Sequence, residues 1–372
     1  MKIGVLTSSR ADYGIYLPLL NELKKDTFFV LEIIAFGTHL SDLHGFTLDD
    51  INRDDYNTIH EISSLIVDDS EKGVAISYGN TVLQFADFWS LNKFDMVLCL
   101  GDRFEMSAAV QASIPFGVKI AHFHGGETTL GAIDNIYRHQ ITLASKQHYV
   151  STEESLQKVA ELIGSYNHIY NVGSMSLSNI EAFRPLERCI FLKKHGIKEA
   201  PYILATFHPE TISVEKNIKF ANIIKVALHS LCENINIIIT MPNADTMGSV
   251  YRAMINDLKS AKPYNIFIVE NFGKSDYFNA MFHSSMLLGN SSSGIIEAAS
   301  FNKYVVNVGN RQLGRAQGLN VQNVPYDSNI IIEATNEILK KSETVFSNIY
   351  YKRNTLTLII DAIKLSYSTR KC

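Results

Sequence analysis

Residues 121–127 read Ala121-His122-Phe123-His124-Gly125-Gly126-Glu127, and Asp134 and Arg138-His139 follow shortly after. The paired glycines let the main chain approach a ligand, while imidazoles, carboxylates and a guanidinium crowd into one stretch. Such a set suits general acid–base chemistry, in which groups of opposite protonation state are tuned by their surroundings. The same histidines can equally be satisfied core residues. None forms a trio at the spacing of a helical zinc site, so no metal is expected.

Other polar clusters sit at the ends of apolar runs. Ser8-Ser9-Arg10-Ala11-Asp12-Tyr13-Gly14 follows the first run. Arg10 can pair with a phosphate at a helix N-terminus, although an Asp-capped helix start explains the same residues equally well. It is not the dinucleotide fingerprint. Gly101-Asp102-Arg103-Phe104-Glu105 ends another run and offers a carboxylate beside a cation, which is also the composition of a structural pair. Phe207-His208-Pro209-Glu210 places His208 at a strand tip, because Pro209 keeps the residue before it extended. Pro242-Asn243-Ala244-Asp245 offers Asn243 for reading the edge of a ring. In Gly289-Asn290-Ser291-Ser292-Ser293-Gly294-Ile295-Ile296-Glu297 a strand runs through serines into a helix. Ser291, Ser292 and free main-chain N–H groups there can cradle a phosphate, and Glu297, a turn later, can accept from both ribose hydroxyls. A serine-capped helix is the plainer reading. Arg311 and Arg315 follow the next run and add cations.

The elements that must position these groups are legible as alternating apolar runs and helical stretches. Residues 3–7, 29–36, 96–100, 118–122, 148–150 and 168–172 read as strands, with helical periodicity over 15–25 and 153–163. A second series reads strands at 202–207, 236–240, 266–269, 286–288 and 304–308, with helices over 217–231 and 294–300. Near-continuous apolar runs are those of parallel strands buried on both faces and joined by crossover helices. The expectation is an α/β chain of two Rossmann-like domains, 1–173 and 174–372, whose parallel sheets face a central cleft. A final helix near 354–366 carries an apolar face and is expected to pack back on the N-terminal domain.

Composition agrees with a large buried core. The 372 residues are 46% hydrophobic and 19% charged, with 34 Lys+Arg against 38 Asp+Glu for a net charge of −4. No basic stripe marks a nucleic-acid binder, and no run reaches the roughly 18 apolar residues of a membrane span. Neither nucleic acid nor membrane is an expected partner. The scattered Cys99, Cys189, Cys232 and Cys372 form no CxxC, and the short N-terminal run makes a poor signal peptide, so a cytoplasmic location is expected.

Together, Ser9-Arg10-Ala11-Asp12-Tyr13-Gly14, Gly101-Asp102-Arg103, His124-Gly125-Gly126-Glu127 with Asp134 and Arg138-His139, Phe207-His208-Pro209 and Gly289-Asn290-Ser291-Ser292 resemble the hydrolysing branch of the UDP-N-acetylglucosamine 2-epimerase family. The likeness is collinear from Arg10 to Arg315. It implies a GT-B-like fold, no cofactor or metal, a homo-oligomer (dimer or tetramer), and a place in bacterial sialic-acid-type sugar synthesis. The implied chemistry is anti elimination of the nucleotide to a 2-acetamidoglycal, then hydration to the free sugar inverted at C2.

Carried over by position, Asp102 and Asp134 resemble the family's acids and His208 its Phe-His-Pro histidine. Arg10, Arg103 and Arg311 resemble its phosphate-side arginines. Asn243, Ser291, Ser292 and Glu297 resemble nucleotide-binding positions. Many relatives carry a glutamate where this chain has His124, so a proton-transfer role falls here to His124 or Glu127; a neutral imidazole can serve near neutral pH. UDP-GlcNAc going to ManNAc and UDP is the first expectation. A UDP- or GDP-linked N,N'-diacetylbacillosamine, a non-hydrolysing epimerase, a GT-B glycosyltransferase and a sugar-nucleotide binding module are the alternatives.

Overall fold

The computed structural model describes the chain except residues 42–45, 67, 69, 131–132, 211–213, 243–246 and 369–372. The chain divides into two compact units. The first comprises Met1–Glu127, Asp134–Ser178 and Tyr350–Cys372; the second comprises Thr128–Ile133 and Asn179–Ile349.

The first unit is built on β1 (Lys2–Thr7), β2 (Val30–Phe36), β3 (Ile59–Ile62), β4 (Met96–Leu100), β5 (Ile120–Phe123), β6 (Gln147–Val150) and β7 (Ile169–Asn171). They form one parallel sheet in the order β3-β2-β1-β4-β5-β6-β7. Every residue of β4 is buried, which is why its sequence is apolar throughout rather than alternating. Ile3, Val5 and Leu98 face one way, onto Leu19, Leu20 and Leu23 of the helix Arg10–Lys25 and onto Ile359 and Ile363 of the C-terminal helix Thr355–Ser368. Leu6, Val97 and Cys99 face the other way, onto Phe85 and Trp89. The Trp89 indole N–H, buried with them, donates to the carbonyl of Ala109 at 3.0 Å, so the ring brings no unmatched polar atom into the core.

The second unit repeats the plan with β8 (Tyr202–Thr206), β9 (Asn236–Thr240), β10 (Ile266–Val269), β11 (Met286–Gly289), β12 (Val305–Val308) and β13 (Val321–Val324). The order β10-β9-β8-β11-β12-β13 is again all parallel. Both units are Rossmann-like, as the apolar runs lead one to expect. In each sheet the chain direction of winding reverses beside the first strand, between β1 and β4 and between β8 and β11. Ligands of such sheets bind outside the strand ends at that reversal.

Two strands escape the sequence reading. β3 and β13 lie at sheet edges, where one face meets solvent, and Ile-His-Glu-Ile and Val-Gln-Asn-Val are correspondingly mixed in polarity. The helix read over 294–300 is shorter than expected: Ser292–Ile296 is helical and a tighter turn, Ala298–Phe301, succeeds it.

Candidate active site

In the first unit the polar clusters gather at the reversal between β1 and β4. Gly101 leaves β4 with φ +82, a left-handed conformation that turns the chain so that Asp102 follows the strand end. That turn is held from inside by His122 on β5, whose Nε2 lies 2.8 Å from the Gly101 carbonyl and whose Nδ1 lies 3.1 Å from the Thr142 hydroxyl. A carbonyl only accepts, so Nε2 carries the proton and Nδ1 accepts from Thr142. Burial pushes His122 down to about 3, which keeps this single tautomer neutral.

Thr142 belongs to the helix Asp134–Ala144, which also carries Arg138. The buried Arg138 guanidinium donates to the Asp102 carboxylate and to the main-chain carbonyl of Glu127. Asp134, first in the same helix, is pushed up to about 6, chiefly by burial and then by the neighbouring Asp102 charge. Two carboxylates thus stand together, one paired with a cation and the other poised to hold a proton near neutrality. Unequal carboxylates of this kind are the arrangement acid–base catalysis uses.

His124 adopts φ +64, uncommon outside glycine, and Gly126 follows at φ +74. The His124 Nδ1 lies 3.4 Å from Glu127 Oε1, which also accepts from the Ser151 hydroxyl at 2.7 Å. A buried carboxylate therefore faces a half-buried imidazole, the relation that orients a histidine for proton transfer. Arg103 donates through Nε to the buried Glu105 at 2.5 Å while its side chain remains 42% exposed, free to reach a ligand. Arg10 is exposed on the first turn of its helix, behind the Ser9 cap, and stands apart from these bonds among the described residues.

The second unit brings its clusters to the reversal between β8 and β11. His208 is buried, and burial together with Arg311 pushes its imidazole down to about 3, so it is neutral at physiological pH. Ser291 caps the helix Ser292–Ile296, its hydroxyl accepting from Ser293 N–H at 3.4 Å and from the Ser293 hydroxyl at 3.0 Å. The capping use of Ser291, the plainer reading of the serine cluster, is thus present. Ser292 is half-buried beside it. Glu297 follows this helix directly and is buried, and its charge opposes the partial desolvation that pushes down the ammonium of Lys274, a residue exposed at the surface. Arg311 donates to the Asn290 carbonyl at 3.3 Å and Gln312 to the same oxygen at 2.9 Å. Thr128–Ile133, directly after Glu127, belongs to this unit, where Leu130 N–H donates to the Leu313 carbonyl at 2.9 Å. Asn243 lies outside the described residues.

The sequence reading counts His122 and Arg138 within the acid–base stretch without giving either an individual role, and it does not single out Lys274. The sequence carries a signal for Lys274, since Asn271-Phe272-Gly273-Lys274 closely follows the apolar run 266–269. Among the described residues no group of three or more His, Cys, Asp or Glu is arranged to hold a metal ion, and no helix is long and apolar enough to cross a membrane.

The family model described as UDP-N-acetylglucosamine 2-epimerase matches residues 21–364. The chain belongs to the UDP-N-acetylglucosamine 2-epimerase family. Within that family it is 34% identical over 351 residues to the UDP-N,N'-diacetylbacillosamine 2-epimerase (hydrolyzing) of Legionella pneumophila, covering 94% of this chain and 92% of that one. It is 31% identical over 369 residues to polysialic acid biosynthesis protein P7 of Escherichia coli, covering 98% and 93%. The crystal structure of UDP-GlcNAc 2-epimerase from Neisseria meningitidis bound to UDP-GlcNAc superposes with a TM-score of 0.79 at 16% identity, covering 98% of this chain and 100% of that one. At that identity the likeness shows the fold, which is GT-B-like α/β as the motifs imply. The family resemblance carried by those motifs holds over nearly the whole chain.

Proposed function

We propose that this epimerase-family chain hydrolyses a UDP-linked 2-acetamido sugar with inversion at C2. Loss of the C2 proton and cleavage of the C1–O bond release UDP and leave a 2-acetamidoglycal. Water then adds its hydroxyl at C1 while a proton returns to C2 from the opposite face, giving the free epimerised sugar. The observation that carries the reading is the Asp102–Arg138 pair beside Asp134 at the β1/β4 reversal, an acid–base set in which one member titrates near neutrality. The C2 hydrogen is not acidified by a carbonyl, so leaving-group stabilisation must carry much of the reaction. Arg10, Arg103, Arg311 and Arg315 are the cations this reading assigns to the diphosphate, and Ser291, Ser292, Asn243 and Glu297 are the residues it assigns to the nucleotide. His124, held by Glu127, and His208, kept neutral, complete the proton-handling groups.

UDP-GlcNAc, giving ManNAc, is the first substrate of this reading. UDP-N,N'-diacetylbacillosamine is the second, and the 34% identity to a relative named for that substrate favours it. The reading includes a cytoplasmic homo-oligomer, dimer or tetramer, that works without metal or cofactor. The test is product analysis with each sugar nucleotide separately in the presence of a chelator. Free C2-inverted sugar plus UDP is expected from at least one. An intact, epimerised UDP-sugar would make the chain a non-hydrolysing epimerase instead, and transfer of the sugar only to an added acceptor would make it a glycosyltransferase.

A further inference from the structure

The β8/β11 ladder ends where Gly289 pairs with Thr206. Gly289 has φ +149, and a Cβ there would meet the Thr206 carbonyl at 1.9 Å, so the two main chains lie too close for any side chain. One residue on, Asn290 donates its own N–H to that same Thr206 carbonyl at 3.1 Å. Beyond this point β8 has no ladder partner, and Pro209 supplies no N–H to continue one. The buried main-chain groups of His208 would be left unmatched.

The Asn290 side chain takes up both. Its Oδ1 accepts from the His208 N–H at 2.7 Å and its Nδ2 donates to the His208 carbonyl at 2.8 Å. This two-point clamp also fixes the carboxamide orientation, since only the oxygen can face an N–H and only the nitrogen a carbonyl. The second Nδ2 hydrogen goes to the Tyr326 hydroxyl at 3.2 Å. The Asn290 carbonyl accepts from Arg311 and Gln312, and the neighbouring Glu210 carboxylate accepts from Asn310 N–H at 2.8 Å. Asn290 has no exposed surface, so it cannot touch a substrate. One buried side chain therefore holds the strand tip that carries His208, while its own carbonyl holds the turn that carries Arg311.

We propose that Asn290 is a positioning residue: its carboxamide sets the main chain of His208, and through it the direction of the imidazole. This rests on the reading of His208 as a group that acts on the substrate. An aspartate would keep the acceptor for the His208 N–H but lose both donated bonds and bury a charge, so the site asks for asparagine in particular.

The test is a double-mutant cycle on kcat, with KM and UDP affinity measured alongside. Asn290→Ala is expected to lower kcat by roughly 10²-fold, the scale of a misplaced reacting group. UDP affinity is expected to stay within a few-fold, because the anchor of Arg311 is a main-chain oxygen that the variant retains. The pair Asn290→Ala with His208→Gln is expected to be no slower than His208→Gln alone, since both changes remove one function. Independent, multiplying losses would overturn the proposal, as would an undiminished kcat in Asn290→Ala. A fully active His208→Gln would instead remove the reading on which the proposal rests. If Asn290→Ala does not fold, Asn290→Ser replaces it in the cycle. Amide exchange in the wild-type protein gives a measurement free of any substitution: the His208 N–H is expected to be protected, and rapid exchange would overturn the clamp.

Discussion

Arg138 donates to the carboxylate of Asp102 from the helix whose first residue is Asp134. The cation, its partner carboxylate and the second carboxylate therefore come from two segments, and their relation depends on how that helix is seated. His122, bonded to Gly101 on one side and to Thr142 on the other, seats it.

Asp102→Asn removes the charge that is the second cause of the raised Asp134 pKa. The Asp134 carboxyl, followed by carbon NMR, is expected to titrate below its wild-type value of about 6, but not at the ordinary carboxylate value, because burial remains. An unmoved midpoint would mean that the two carboxylates do not sense each other. The same substitution is expected to lower kcat by about 10²–10⁴-fold, the range of a lost general acid or base.

The raised Asp134 value has a consequence for stability. Because the folded state binds this proton more tightly than the unfolded chain, the contribution is full below the unfolded value of 3.8 and is lost as pH rises through about 6. Asp134→Asn is expected to unfold at a higher temperature than wild type at about pH 8 and to show no such gain near the unfolded carboxylate value. Equal shifts at both pH values would show that Asp134 is not buried against its charged form.

Buried neutral histidines act in the opposite sense. His122 and His208 are pushed down to about 3 and His148 to about 4, from 6.5. Their contribution is present above pH 6.5 and is lost as pH falls toward those values. Denaturant midpoints are expected to fall steadily from about pH 7 to about pH 4.5, and His122→Gln should flatten that fall. A midpoint independent of pH across this window would contradict the neutral, buried imidazoles.

Glu297→Ala is expected to weaken UDP binding by about 1–3 kcal/mol, the range for hydrogen bonds to a charged group. Calorimetry with UDP alone reads this without turnover. Unchanged affinity would take Glu297 out of the nucleotide site and leave its charge to Lys274 alone.

What the sequence showed of the fold follows from burial. β1, β4, β8 and β9 lie deep in their sheets, so their runs are apolar and easily read. β3 and β13 are edge strands in which two polar residues sit between two apolar ones, neither an apolar run nor an alternation, and nothing local distinguishes them from loop. The site motifs were legible because chemistry at parallel strand ends concentrates polar residues after apolar runs, as at Asp102 and His208. The bonds among them were not. Arg138 stands 36 residues from Asp102 and Asn290 stands 82 from His208, and only the folded sheets bring each pair together. The left-handed backbone of His124 was equally hidden, because an imidazole gives no local sign that its residue takes a glycine-like turn.

The most direct test of the elimination–hydration reading follows the reaction in deuterated water by NMR, with UDP-GlcNAc and UDP-N,N'-diacetylbacillosamine in separate samples. The account predicts UDP and a free, C2-inverted sugar that carries deuterium at C2, because the proton returned to the glycal comes from solvent. Free sugar with its original hydrogen at C2 and its original configuration would show simple hydrolysis of the glycosyl bond, and the assigned acids would then have no proton to move.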